Sequence, residues 1–567
     1  MNYKELCVRL AYPLIGVLVL IFLINYYFPF SSVNDFVPGL EEDAIKNFYT
    51  IEYYLKYDDG NVFSGMHYPF QNHLVFTDSQ PAIAWILKGL KELGLPVEGH
   101  AVGVVNFLML FSFVITFLLL YWICLHYKLP KWIGLIVAFS FALMNPQMDR
   151  ILMGHYALAY SWSIPLTWFL LLKYQKEGKE NLYLALLGGF HLTLSFIHPY
   201  LALISTFFAV GYVFLTLLKT KEKKYIIHLL LMIMPVLVYM VWLKSTDFVE
   251  GRPPSQYGFF EYRATLSSVI FSENSFFTSP ISNIIEYKPS NNEGNSYLGI
   301  VPVFIAIFCV FQWAREKVRT NNYLIKREWP SKDSLLFVSA FFVLLFSMAI
   351  PFKWGLHDLV NFLGPIRQFR SIGRFAWVFY YVGGVLLIVY AYRHYGRKLK
   401  WVYVLSVICM LDAVWFFHSE FSEVKTHLST NPFSDMEMNK FLEENELDES
   451  NYQAVLGFPF TLIGNEELAI TTGAQEMRDF MAVSQATGLP IMNVMAARNS
   501  IDYTRETYDY IVSVGEKGDV IKDKLLEKPL LLIIASDSLS DYANKWKDRG
   551  SKVGEFRELI FYRVSVE

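Results

Sequence analysis

Charge is scarce in this 567-residue chain. Only 18% of its residues are Asp, Glu, Lys or Arg, against about 25% in soluble globular chains. With 54% hydrophobic and 17% aromatic residues, that scarcity excludes an ordinary soluble protein and points to an integral membrane protein with one soluble portion. A basic excess is also missing. The formal net charge of -3 gives no electrostatic footprint for nucleic acid, so no nucleic-acid partner is expected. Cysteine is rare: Cys7, Cys124, Cys309 and Cys409 lie in or beside apolar runs without paired spacing, which excludes a disulfide framework and a zinc knuckle. There is no H-x-x-x-H pair, no Walker loop, no G-x-S-x-G and no repeat of solenoid period. A small-residue cleavage signature is lacking too, so Lys4 and Arg9 read as the flank of a retained first helix.

What is present is a series of long apolar runs. A spanning helix needs about 20 mostly apolar residues, and roughly eleven candidates run from 10–30 to 400–418. Lys and Arg collect on the cytoplasmic side of spanning helices. With the N-terminus inside, the inner segments hold 21 basic residues and the short outer segments hold 5. The expected topology therefore has a cytoplasmic N-terminus and, with an odd number of spans, an extracytoplasmic C-terminal part. Residues 1–418 form the transmembrane domain. Its first outer loop, 31–98, carries two amphipathic stretches, 40–56 and 79–93, the second with Asp78 and Ser79 as candidate caps and Gly94 as its stop. Both are expected to lie along the membrane surface. A second large outer loop covers 247–296. After about residue 419 charges become frequent and no run is long enough to span. Strand-like runs at Gln453–Phe460, Leu530–Ala535 and Leu559–Val564, with a helix over Ser540–Arg549, predict a small α/β domain over 419–567.

Four constellations carry chemistry. Glu41, Glu42 and Asp43, with Lys46 one turn on, stand just past the first span. A carboxylate at a partly dry membrane edge acquires a raised pKa and serves as a general base toward a hydroxyl, or simply caps a helix N-terminus. Asp149, Arg150 and His155 crowd a short loop between spans and should face a cavity, since they are costly in lipid, or else form a polar interfacial turn with an Asp–Arg pair. Arg367, Arg370 and Arg374 break the positive-inside bias. Their spacing puts them on one face if the segment is helical, where guanidinium forks suit phosphate oxygens, although lipid head groups would equally attract them. Glu293, at the mouth of the eighth expected span, is a candidate second acid, or else stands just outside a helix start capped by Asn295 or Ser296. Weaker signals are Asp78 and the His198-Pro199-Tyr200 turn. His191 and Asp412 fall inside spans and should be buried between helices or salt-bridged.

A cytoplasmic N-terminus, a long first outer loop with paired surface helices and an acid soon after the first span resemble the GT-C superfamily. These are multispanning glycosyltransferases that use polyprenyl-phosphate-linked sugars. The runs Glu293-Gly-Asn-Ser-Tyr-Leu-Gly299 and Arg370-Ser-Ile-Gly-Arg-Phe375 are also similar to segments of YfhO-like bacterial members. The resemblance covers 1–418 and implies a GT-C-like helical polytopic fold of about 11 transmembrane helices, followed by the extracytoplasmic α/β domain. The superfamily's first-loop catalytic acid matches Asp43 best, with Glu42 as the alternative. Arg150, His155, Arg367, Arg370 and Arg374 then hold the lipid phosphate. No cofactor is certain. A divalent metal is a candidate, although Glu-Glu-Asp departs from a clean Asp-x-Asp. The expected partners are a polyprenyl-phosphate sugar donor, a glycan or envelope acceptor and membrane lipid, at a bacterial plasma membrane. The alternatives are a flippase or transporter of lipid-linked intermediates, which would need charges deep in several spans, and a non-catalytic envelope-assembly protein.

Overall fold

The computed structural model describes residues 3–39, 43–176, 178–254, 258–284, 292–320, 332–395, 401–465, 467–535 and 539–566. Glu41 and Glu42 lie outside them. Among the described residues, five helices are long and apolar enough to cross a membrane: Ala101–His126, Pro199–Thr220, Lys224–Thr246, Ile372–Tyr395 and Trp401–Ser422. The chain is a polytopic helical membrane protein. Several of the eleven expected spans are short. Lys131–Leu143 has 13 residues, Ser163–Tyr174 has 12 and Lys332–Ser347 has 16. At about 1.5 Å per residue they reach roughly 18–24 Å, less than the ~30 Å of bilayer hydrocarbon. Length and apolarity thus support five spans and leave the count of eleven without confirmation.

The bundle is built from hairpins. Ala101–His126 turns at Tyr127–Pro130 into Lys131–Leu143, which also packs on Trp401–His427. Pro199–Thr220 lies between Glu180–Ile197, Lys224–Thr246 and Lys332–Ser347. The two polar residues expected inside spans find neutral partners rather than salt bridges. His191 bonds Thr206 Oγ1 at 3.2 Å. Asp412 accepts from Ser275 Oγ (2.6 Å), Tyr297 OH (2.9 Å) and the Ile300 amide (3.1 Å).

The first-loop helix, Asp43–Tyr57, is where the sequence expectation fails. It does not lie on a surface, because every residue from Ala44 to Leu55 is buried. Phe48, Ile51 and Leu55 are fully buried, each contributing about 1.5–3 kcal/mol. The polar side of the helix meets protein as well: Tyr49 OH bonds Ser484 Oγ (2.7 Å), and Tyr53 and Tyr57 donate to the carbonyls of Gly488 and Gln485. Its amphipathic pattern therefore fits a helix between a membrane bundle and the segment Met477–Thr487. The second first-loop helix runs Pro81–Glu92 and starts at Gln80, in a left-handed conformation without a side-chain cap. Asp78 is not the cap, which leaves its carboxylate for other work.

Beyond the last span, Val455–Phe458, Leu530–Ile534, Leu559–Val564 and Gly550–Phe556 form one sheet in that order, parallel for the first pair and antiparallel for the rest. Its alternation divides two cores. Val455, Leu531, Ile533 and Phe561 join the main core, whereas Leu456, Phe458, Leu532 and Ile534 join a second. Ser540 caps the helix Asp541–Asp548 by accepting from the Ala543 amide. A two-strand contact, Phe36–Val37 against Ser429–Thr430, ties the first loop to the chain leaving the bundle.

Candidate active site

The loop at Gly154 decides where Asp43 points. Gly154 has φ +69, and a Cβ there would stand 2.2 Å from the Ala44 amide nitrogen, so only glycine allows this approach. Asn47 Nδ2 donates to the Gly154 carbonyl (2.7 Å) and the Asp43 carbonyl (2.9 Å). The Gly39 amide donates to Tyr156 OH at 2.9 Å. These bonds seat the start of the Asp43–Tyr57 helix on the loop that carries His155. His155 Nε2 then lies 3.4 Å from Asp43 Oδ2, and Lys46 Nζ lies 2.7 Å from Asp43 Oδ1 and 2.8 Å from Asp78 Oδ2.

These groups open on a chamber of about 1140 Å³. Its polar end gathers Asp43, Lys46, Asp78, His155, His198 and Arg374, with Arg370 and Arg498 at the rim. Its other end is an apolar slot between three helices, lined by Phe207, Val210 and Phe214, by Val236 and Met240, and by Phe342. On Pro199–Thr220 the lining extends from Pro199 to Leu215, a length of about 24 Å at helical rise. The rim is completed from beyond the last span. Gly464, Asn465 and Arg498 line it, held where Leu462–Ile463 pairs with Val494–Met495. Arg498 donates to Gln368 Oε1 (2.9 Å) and the Pro253 carbonyl (3.0 Å), and Arg252 donates to the Arg498 carbonyl (2.8 Å).

The arginines separate into different roles. Arg374 lines the chamber, stacks over the Tyr200 ring at 4.5 Å and holds Glu293 through Nε (2.6 Å) and Nη2 (2.7 Å). Arg150, 1% exposed, donates from Nη1 to the same carboxylate at 3.0 Å and is not part of the lining. Glu293 is thereby a clamp between two guanidinium groups, not a second acid facing the chamber. Arg367 is half-buried and also outside the lining. The three arginines do not share one helical face: the His357–Gln368 turn breaks at Gly364 (φ 55, ψ -129), and a new turn, Ile372–Ala376, begins before Arg374.

Electrostatics at Asp43 run opposite to the expectation of a raised pKa. Burial does push its carboxyl up, but the Lys46 ammonium and then His155 outweigh this and hold it well below the usual carboxylate range. Asp78 is likewise lowered against burial, chiefly by Lys46. Lys46 is raised, because its two carboxylates overcome its desolvation. Glu293 is lowered by Arg374 and then Arg150, against burial. An ionised acid and a guanidinium lining one chamber with an apolar tail can orient a hydroxyl while positive charge meets an anionic leaving group.

The sequence puts Asp43 and Lys46 on one helical face but carries no sign that Asp78, a candidate cap, joins them. Arg498 gave no local signal, since its place depends on contacts with Gln368 and Pro253, far away in the chain.

Comparison with solved structures places the fold. The arabinofuranosyltransferase AftD from Mycobacteria aligns over 100% of this chain and 40% of its own, at 12% identity and TM-score 0.53. The chain thus spans well under half of AftD's length. The Archaeoglobus fulgidus oligosaccharyltransferase in its apo form (10% identity, 94% of this chain and 70% of its own, TM-score 0.49) and ArnT from Cupriavidus metallidurans (12%, 98% and 98%, TM-score 0.42) align more loosely. The likeness to AftD is one of fold. No curated protein matches the sequence. The family model described as "Domain of unknown function (DUF6311)" matches residues 13–414, and the chain belongs to that family.

Proposed function

We propose that this protein is an inverting membrane glycosyltransferase that moves a sugar from a polyprenyl-phosphate-linked donor to a glycan or envelope acceptor on the outer face of the membrane. The observation that carries this reading is the chamber, which has Asp43 and Arg374 at one end and runs on as an apolar slot, its lining on Pro199–Thr220 about 24 Å long in all. The donor's tail lies in the slot between the helices Pro199–Thr220, Lys224–Thr246 and Lys332–Ser347. Its phosphate sits against Arg374 and Arg370, and the sugar lies between them and Asp43.

The acceptor hydroxyl donates its hydrogen bond to Asp43 and attacks the anomeric carbon from the side opposite the phosphate. As the new C–O bond forms, the bond to the phosphate oxygen breaks and its electron pair leaves with the lipid phosphate. Arg374 and Arg370 meet the negative charge that grows there. The hydroxyl proton passes to Asp43 late, once the oxygen has become acidic, and then to solvent. A carboxylate with a depressed pKa suits this order, since it is always ionised and works first as an orienting acceptor. Arg498, Asn465 and the neighbouring rim receive the acceptor. The α/β domain over 419–567 thereby contributes to acceptor binding.

The test is transfer of radiolabelled sugar from a panel of polyprenyl-phosphate sugars by the purified protein in nanodiscs. Transfer that disappears in Asp43→Asn and in Arg374→Ala is the expected result. Transfer that survives Asp43→Asn unchanged would return the reading to a flippase or an assembly protein.

A further inference from the structure

Whether a divalent metal fits this chamber is decided by what lies between its acids. Calcium and magnesium sites gather six or more oxygen donors at about 2.0–2.6 Å. At the polar end of the chamber the two carboxylates that approach each other are Asp43 and Asp78, from different segments of the first loop. The space between them is filled by the Lys46 ammonium, 2.7 Å from Asp43 Oδ1 and 2.8 Å from Asp78 Oδ2. The remaining oxygen of Asp43 faces His155 Nε2 at 3.4 Å. Among the described residues no group of three or more His, Cys, Asp or Glu side chains is arranged to hold a metal ion. Among the described residues the donor set does not fit a metal, because a fixed positive charge already stands where the ion would bridge Asp43 and Asp78.

We propose that Lys46 takes the place of a metal in this chamber: its ammonium bridges Asp43 and Asp78, turns Asp43 toward the acceptor and lets the transfer run without a divalent cation. The role rests on the glycosyltransferase reading for its reaction, and on geometry alone for its charge. Three features build it. Lys46 follows Asp43 by one helical turn, so the helix fixes their spacing. Its side chain is 8% exposed, against 30% for Asp43 and 28% for Asp78, so the ammonium is buried behind two carboxylates that still open on the chamber. Asp78 sits in a left-handed conformation (φ 60) at the turn before Pro81–Glu92, which brings its carboxylate back to the chamber. Burial would discharge a lone lysine, and the two acids keep this one charged. Lys46 is a positioning residue, acting through Asp43.

The test uses the full chain in nanodiscs, stripped with EDTA and titrated with Mn²⁺ under EPR, with sugar transfer followed in parallel. Wild type should show no bound-Mn²⁺ signal that Asp43→Asn removes, and EDTA should change transfer by less than about twofold, well short of the order-of-magnitude losses that follow removal of a catalytic group. Lys46→Ser frees both carboxylates. It should bind Mn²⁺ and lose that signal again when Asp78→Asn is added. An Asp43-dependent Mn²⁺ signal in wild type, or transfer abolished by EDTA and restored by Mn²⁺, would overturn the proposal. So would a monodisperse, folded Lys46→Ser protein that takes up no Mn²⁺. Should Lys46→Ser fail to fold, the wild-type titration decides alone. Transfer absent with every donor counts against the proposed reaction, while the Mn²⁺ measurements still decide what Lys46 does.

Discussion

At the scale of single residues, charge is held in place by charge. Asp43 lies between Lys46 and His155, and Glu293 lies between Arg150 and Arg374. Asp43→Asn keeps the shape and removes the ionised acceptor. Initial rates of sugar transfer should fall by about 10²–10⁴-fold, the usual contribution of an acid–base group. Glu293→Gln should act on stability first. It removes the carboxylate that buried Arg374 and Arg150 share, at a cost of about 3–5 kcal/mol, seen as a lowered unfolding temperature in detergent. Because the folded pKa of Glu293 is depressed, the stability it provides is fully present above the ordinary carboxylate range. That stability is lost as pH falls below this range toward the folded value. The Gln variant should lack this acid-side loss. The sequence put Lys46 within a turn of Asp43 but did not pair Glu293 with its arginines. Glu293 and Arg374 are 81 positions apart, beyond any helical periodicity.

At the scale of elements, the first-loop helix and the loop beneath it form one unit. Gly154→Ala would drive a methyl into the Ala44 amide at a left-handed φ. The helix start must then lift and Asp43 parts from His155, so transfer should fall along with thermal stability. A second device stands at the other end of this helix. Asp58 accepts from the Ser64 amide (2.9 Å) and hydroxyl (2.7 Å), yet burial pushes its carboxyl up to about 6. A raised acid stabilises the folded state below its unfolded pKa, and that contribution is lost as pH rises through the folded value. Wild type should therefore lose on the order of 2 kcal/mol between pH 4 and pH 7 through this group. Asp58→Asn should flatten that part of a pH series of thermal melts.

At the scale of the whole molecule, the chamber joins parts that are remote in the chain. The bundle supplies the slot, the first loop supplies the acids, and the segment around Val494–Met495 supplies part of the rim. The two ends should separate kinetically. Val210→Trp fills the slot and should raise the KM for donors with long tails more than for a short-chain analogue. Arg498→Ala opens the rim and should raise the acceptor KM with little effect on the donor KM. Equal effects on both substrates would argue against separate donor and acceptor ends.

The amino-acid order alone determined that this is a helical membrane protein, where its long apolar helices lie, that strands follow residue 419, and which charges stand where lipid would reject them. Those features are local: run length, alternation and the cost of a charge beside hydrocarbon are written in consecutive residues. Only tertiary packing decided that the first-loop helix is buried instead of lying on a surface, that Asp78 faces Lys46 instead of capping a helix, and that Arg374 lines the chamber while Arg150 stands behind its wall. Each of these depends on which distant backbone comes close enough to satisfy a buried charge or hydroxyl, and hydrophobic periodicity carries no information about such long-range partners.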